Sequence, residues 1–211
     1  PYSSLSELMQ EANQRPYQLV YGTNLGAPNH YSALFLQKGK PGAKFRFTQT
    51  GGGAKRLAQL KGGHIDLTGF SVAEYQQFKD AGIKALASLG EEREPSFPNL
   101  PTAKEENIEA THSLIQFWWA PKGTSKDKIS YLQNLLKRAM VTDEIKDQFK
   151  NLHMEPIIHV GEDLIHAIKQ RSKGLQGITI EKPTPMPPLE WIVLIVAGVC
   201  AFFAYRENKT V

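Results

Sequence analysis

The stretch Thr48 to Phe70, TQTGGGAKRLAQLKGGHIDLTGF, constrains this chain more than any other. A β-rich run around Phe45, Phe47 and Thr48 feeds three glycines, then a helical pattern with Leu57 and Leu60 on one face, then Gly62-Gly63 and a second β-like run, His64-Ile65-Asp66-Leu67. Strand, glycine turn, helix and strand follow one another here, and the same alternation continues on either side. Alternating strands and helices argue for α/β, a mainly parallel sheet flanked by helices on both faces.

The neighbouring segments fit that class. SSLSELMQEAN at 3–13 reads as a capped helix, Ser4 at the N-cap and Glu7 three residues on. Leu19 to Tyr21 reads as a short strand, GTNLGAPNH as a turn, and Tyr31 to Leu36 as an amphipathic helix. A helix around Ala73 to Phe78 and a buried strand, GIKALAS at 82–88, are expected next. After the proline-punctuated EPSFPNLPTAKE comes an apolar strand, SLIQFWWAP. Helices are expected at Asp127 to Met140, with an apolar stripe at Ile129, Leu132, Leu135 and Leu136, from Thr142 to near Leu152, and from Gly161 to Lys173.

The C-terminal end departs from this pattern. Trp191 to Tyr205, WIVLIVAGVCAFFAY, carries no charge and no proline. At about 1.5 Å per residue it covers about 22 Å of a hydrocarbon core of about 30 Å, and Leu189 and Glu190 extend it to a short span. Trp191 and Tyr205 stand at its edges as interface anchors, and Arg206 and Lys209 follow. The positive-inside rule then places the C-terminus in the cytoplasm and the globular part outside it. Ala197, Gly198 and Ala201 form a small-residue face permitting close approach of another membrane helix. The alternative is a buried core helix. The expected domains are therefore 1–177 globular, 178–188 a stiff proline-rich linker, 189–206 transmembrane and 207–211 a cytoplasmic tail.

Composition narrows the function classes. A formal charge of +4 is spread among 21 acidic residues rather than gathered in a stripe, which speaks against nucleic acid. The six histidines show no zinc-ligand spacing, no G-x-S-x-G elbow is present, and the one cysteine, Cys200, lies in the apolar tail. No catalytic constellation and no cofactor are expected. The three glycines before a helix invite an anion, because free amides and the helix dipole attract negative charge. GGGAKRL matches neither the Walker pattern nor G-x-G-x-x-G, so a nucleotide is not indicated. A small carboxylate held by backbone amides at this turn and at NLGAPNH remains, beside the plainer reading that the glycines only allow close packing. His30 reads as a capping or packing residue. Trp118-Trp119 reads as core in preference to a ligand wall.

In order and spacing, LSELMQEANQRPYQLVYGTNLGAPNHYSALF, GGGAKRLAQLKGGHIDL, GIKALASLGEEREPSFPNLPTAKE and FWWAPKGTSKDKISYLQNLLKRAMVTDEIKDQFKNLHMEPI resemble the periplasmic solute-binding proteins of tripartite tricarboxylate transporters, the Bug receptors. The resemblance covers about residues 1–177 and is most specific at FPNLPTAKE, at the AP.GT turn and at G-G-x-I-D. It implies two α/β lobes closing on a small carboxylated molecule, each offering a loop of amides and hydroxyls. By position, one loop falls on Thr23, Asn24, Gly26, Ala27, Asn29 and His30, a turn on Gly51, Gly52 and Gly53, and another loop on Gly69, Phe70 and Ser71. The family usually has a serine where Ala27 stands and a tyrosine-lysine pair where Thr50-Gly51 stands.

PYSSLSEL resembles the point at which the family's chain enters its second lobe, which implies that the first lobe is absent here. A chain opening Pro-Tyr-Ser with no initiator methionine or signal peptide is expected of a processed or partial product. With one lobe and an added anchor, the expectation is a non-catalytic subunit held at the bacterial inner membrane with its globular part in the periplasm. It would pack through its C-terminal helix on integral membrane subunits of a respiratory, photosynthetic or transport complex. The alternative is a receptor capturing a di- or tricarboxylate for a tripartite tricarboxylate transporter.

Overall fold

The computed structural model describes residues 2–114, 116–151, 158–178 and 180. The elements run α1 (Leu5–Gln14), β1 (Val20–Thr23), α2 (Pro28–Gly39), β2 (Arg46–Gln49), α3 (Gly53–Lys61), β3 (Leu67–Thr68), α4 (Val72–Phe78), α5 (Lys126–Met140), α6 (Asp143–Asn151) and α7 (Gly161–Leu175). The three strands form one parallel sheet in the order β2-β1-β3, with Tyr21 opposite Phe47 on one side and Leu67 on the other. The α/β expectation holds.

Local chemistry explains the boundaries. Ser4 accepts the Glu7 amide and starts α1, whose Leu5, Leu8, Met9 and Ala12 are buried. Pro28 sits in the first turn of α2, three residues ahead of the expected start, where its missing N–H costs nothing. β1 and β3 are clamped by Asp66, whose amide donates to the Val20 carbonyl at 2.9 Å while its carboxylate accepts the Val20 amide at 2.7 Å. Gly22 in β1 has no room for a side chain, because an added Cβ would run into Ile65. The core joins Leu8 and Met9 of α1, Tyr21 of β1, Ala33 and Leu36 of α2, Phe45 ahead of β2, and Ala103, Ile108 and Ala110 of a returning loop.

Two expected strands are corrected. GIKALAS at 82–88 is an irregular segment with a single parallel bridge, Ser88 to Thr102. Its backbone bonds go to the loop beside it, from the Ser88 amide to the Pro101 carbonyl and from the Ala103 amide to the Ser88 carbonyl, instead of to the sheet. SLIQFWWAP forms no strand over its described residues, and Trp118 and Trp119 are 80% and 82% exposed, so the tryptophan pair is not core. Among the described residues no strand lies beside this segment to cover it. α5 starts one residue before the expected Asp127 and ends at Met140 as expected, but Leu132 and Leu135 on its apolar stripe are exposed.

The chain divides into two units, 1–178 and 179–211. The linker from 179 on, the expected span 189–206 with Trp191, Gly198, Tyr205 and Arg206, the tail 207–211 and the end of α6 at Leu152 lie outside the described residues, Ile180 apart. Among the described residues, no helix is long and apolar enough to cross a membrane.

Candidate functional site: a crevice at the carboxyl edge of the sheet

In a sheet ordered β2-β1-β3 the chain leaves β1 towards β2 and then crosses back to β3. The crevice of an open parallel sheet lies outside the carboxyl ends of the strands flanking such a reversal. Here those ends are Thr23 of β1 and Thr68 of β3, and the loops that follow them, 24–27 and 69–71, meet there with the glycine turn 50–53. The three loops carried over by the resemblance are therefore brought together.

Backbone and side-chain hydrogen bonds knit the first two loops. The Asn24 carboxamide oxygen accepts the Gly51 amide at 2.8 Å and a Gln49 Nε2 donor at 3.3 Å, and the Leu25 amide donates to Gln49 Oε1 at 3.0 Å. The Ala27 amide closes a turn onto the Asn24 carbonyl at 2.9 Å with Gly26 at φ +81°, a conformation glycine adopts without strain. His30, buried against the edge of Phe47 with ring centroids 4.7 Å apart, accepts the Gly26 amide on Nδ1 at 3.1 Å. That bond puts the ring proton on Nε2, and burial lowers its pKa, so His30 is a neutral anchor for the turn. Thr23 is fully buried, and its carbonyl accepts both the amide and the hydroxyl of Thr50. Asn24 and Thr23 thus shape the crevice; neither the Thr23 hydroxyl nor the Asn24 oxygen faces it unengaged.

The groups left for a ligand are mostly backbone. Neither α2, with Ala27 at its N-cap, nor α3, with Gly52, has a side-chain cap. The first amides of α3, at Gly53, Ala54 and Lys55, have no intrahelical acceptor, and the dipole adds a partial positive charge at the same end. Ser71 differs, because its hydroxyl accepts the Glu74 amide at 3.2 Å while the Glu74 carboxylate accepts the Ser71 amide at 3.0 Å. At the third loop, Gly69 packs where a Cβ would lie 2.7 Å from the Tyr21 hydroxyl and 3.8 Å from Asn29 Cβ. Burial pushes the Tyr21 phenol well above its usual range, with Arg56 acting the other way, so it stays protonated. Asn29 Nδ2 is shut off from solvent with no acceptor among the described residues. A buried amide donor with nothing to donate to suits an oxygen acceptor brought in from outside.

The sequence reading missed the ion pair behind these loops, in which Arg56 donates to both carboxylate oxygens of Glu74 at 3.0 and 3.2 Å. Its signal was SVAE at 71–74, a capping box in plain view. Among the described residues no three His, Cys, Asp or Glu side chains gather as metal ligands. An open hollow elsewhere, of about 300 Å³, is lined by Tyr75, Phe97, Pro98 and Leu100 and holds no charged group.

The parallel sheet with helices around it and loops gathered at its carboxyl edge is an α/β lobe of periplasmic-binding-protein-like fold. The chain belongs to the Tripartite tricarboxylate transporter family receptor family, whose profile matches residues 1–182. It is 26% identical over 160 residues to the UPF0065 protein in gbd 5'region of Cupriavidus necator, covering 74% of this chain and 48% of that protein. Among solved structures it is similar to R. palustris Rpa4515 with adipate, with a TM-score of 0.70 at 24% identity over 83% of this chain and 61% of that one. It is also similar to MatC (Rpa3494) from Rhodopseudomonas palustris with bound malate, with a TM-score of 0.69 at 20% identity, covering 85% and 63%. These two likenesses show the fold. The chain spans about half the length of the curated relatives it matches. The family is one of solute-binding receptors, and this supports the receptor alternative better than the accessory-subunit expectation.

Proposed function

We propose that this chain is a carboxylate-binding lobe of a tripartite tricarboxylate transporter receptor. In this reading it takes a di- or tricarboxylate at the crevice between the 24–30, 51–55 and 69–71 loops. The observation that carries it is the amino end of α3, which has no side-chain cap, gathered with the loops after β1 and β3 at the carboxyl edge of the sheet. One carboxylate accepts from the Gly53, Ala54 and Lys55 amides, where the helix dipole favours it. The 24–27 and 69–71 loops border the remainder of the molecule, with the Ser71 amide already held by Glu74. Adipate in Rpa4515 and malate in MatC are the ligand class that fits such a cradle.

A single lobe leaves the outer side of the ligand to water, so its affinity alone is weak, and an opposing lobe would tighten it. The apolar stretch 191–205 completes the reading as a tether that keeps the lobe on the periplasmic face of a bacterial inner membrane, beside the transporter's membrane components.

Calorimetric or NMR titration of the full chain with adipate, malate and the uncharged adipamide tests the reading. Binding of the two acids that weakens with added salt, with adipamide not binding, is the expected result. Equal binding of adipate and adipamide, or no binding of either acid up to tens of millimolar, a range generous for a half-enclosed site, rejects it.

A further inference from the structure

We propose that Arg56 and Glu74 form a positioning pair that locks the glycine turn of α3 to the capped turn before α4, so that two edges of the crevice are in register before ligand arrives. Its functional consequence rests on the carboxylate reading above.

Arg56 is the one buried residue of α3, 6% exposed, on a helix whose leucines are only half-buried. Its guanidinium reaches three segments at once. Within its own turn it donates to the Gly51 carbonyl at 3.1 Å. Across to α4 it holds both oxygens of Glu74, and it lies 5.4 Å from the centre of the Phe70 ring in the third loop. Glu74 in turn accepts the Ser71 amide, and Gly53 approaches it so closely that an added Cβ would meet its carboxylate. The Asn24 contact with Gly51 extends the chain to the first loop. Gln49, Asn24, Gly51, Arg56, Glu74 and Ser71 therefore make a continuous relay across all three strand ends.

Stability alone does not account for this arrangement. An ion pair with one partner taken from water seldom outdoes apolar packing, and Arg56 Nε is buried without an acceptor among the described residues. What the planar, two-pronged guanidinium supplies that a leucine would not is fixed geometry between two backbone turns. A cradle built from amides needs such geometry, because an amide swung aside by a loop contributes nothing to the ligand.

Amide hydrogen exchange and adipate titration on the full chain and its Glu74→Gln and Arg56→Lys variants test the pair. Glutamine keeps an acceptor for the Ser71 amide and loses the charge facing Arg56; lysine keeps the charge and loses the fork. With global stability matched by urea, we expect exchange at the bonded amides of Gly51, Arg56 and Glu74 to rise about tenfold in Glu74→Gln and the adipate Kd to weaken by about the same factor, the size of one charge-assisted bond. A purely structural pair would lower the urea midpoint and leave both the local exchange and the Kd unchanged, which overturns the proposal. Faster local exchange with an unchanged Kd overturns it too. Faster exchange in a protein whose wild type binds no adipate upholds the lock and rejects the carboxylate reading instead. If Arg56→Lys does not fold, Glu74→Gln decides alone, since Glu74 is one-third exposed.

Discussion

Residues 2–112 and 113–178 are built from the same kinds of pattern and end differently. In the first region, apolar periodicity becomes burial: Leu8, Met9 and Ala12 of α1, Tyr21 of β1 and Ile108 are all 2% exposed or less. In the second, α5, α6 and α7 have equally regular apolar stripes, yet among the described residues nothing after Ala110 is buried. Lys38 ties the second region to the first by donating to the Gly174 and Gln176 carbonyls, while Arg171 binds the Ser113 carbonyl and hydroxyl within the second region. Periodicity announces which face of a helix is apolar, while the partner of that face is a property of the rest of the molecule. The relatives this chain matches are about twice the length of the matching part.

Matched truncations break or sharpen that contrast. Phe45→Ala, in the first region, removes a ring packed against Tyr21 and is expected to cost about 3–5 kcal/mol in urea unfolding. Ser71→Ala strips the hydroxyl half of the α4 capping box and is expected to cost about 1 kcal/mol. Leu132→Ala, on the α5 stripe, is expected to change stability by no more than about 0.5 kcal/mol, because its side chain already faces solvent. A loss above about 2 kcal/mol would mean that the stripe is covered, since only burial gives values of that size.

The two regions also meet in a pH dependence. Burial lowers the pKa of both His30 and His112, and Arg171 adds to the effect at His112. Below the unfolded value of about 6.5 the unfolded chain takes up protons that these two folded rings resist, so their contribution falls as the pH drops and is restored above that value. Arg171→Gln is expected to raise the His112 pKa and leave that of His30 in place, which proton NMR of the two rings reads directly. Movement of both would contradict their assignment to separate environments.

In the glycine-turn unit at 45–67 the first strand, the turn and the helix were legible because each has a local signature, whereas of the expected second strand, 64–67, only Leu67 is strand, the pairing running on to Thr68. The α1 cap at Ser4 was legible too, and so were the spans of α5 and α7. GIKALAS misled because a short apolar run reads the same whether it joins a sheet or lies along its flank, and its hydrogen bonds go to Pro101 and Ala103 in a loop. At the site, the positions of the three loops were legible, but the division of labour within them was not. The resemblance puts Asn24 and His30 among ligand groups, and distances show them holding Gly51 and Gly26, the turn-holding and packing role that the residues alone suggested for His30. Nothing in the sequence singled out Arg56, which is buried at 6% exposure between the glycine turn and α4.

The measurement that bears most directly on the central claim is a map of backbone amide shifts in the full chain as adipate is added. The account predicts saturable shifts concentrated at residues 24–30, 51–55 and 69–71, with the largest at Gly53 and Ala54. Shifts centred on α5 or the Trp118-Trp119 segment, or spread evenly over exposed lysines, would contradict it.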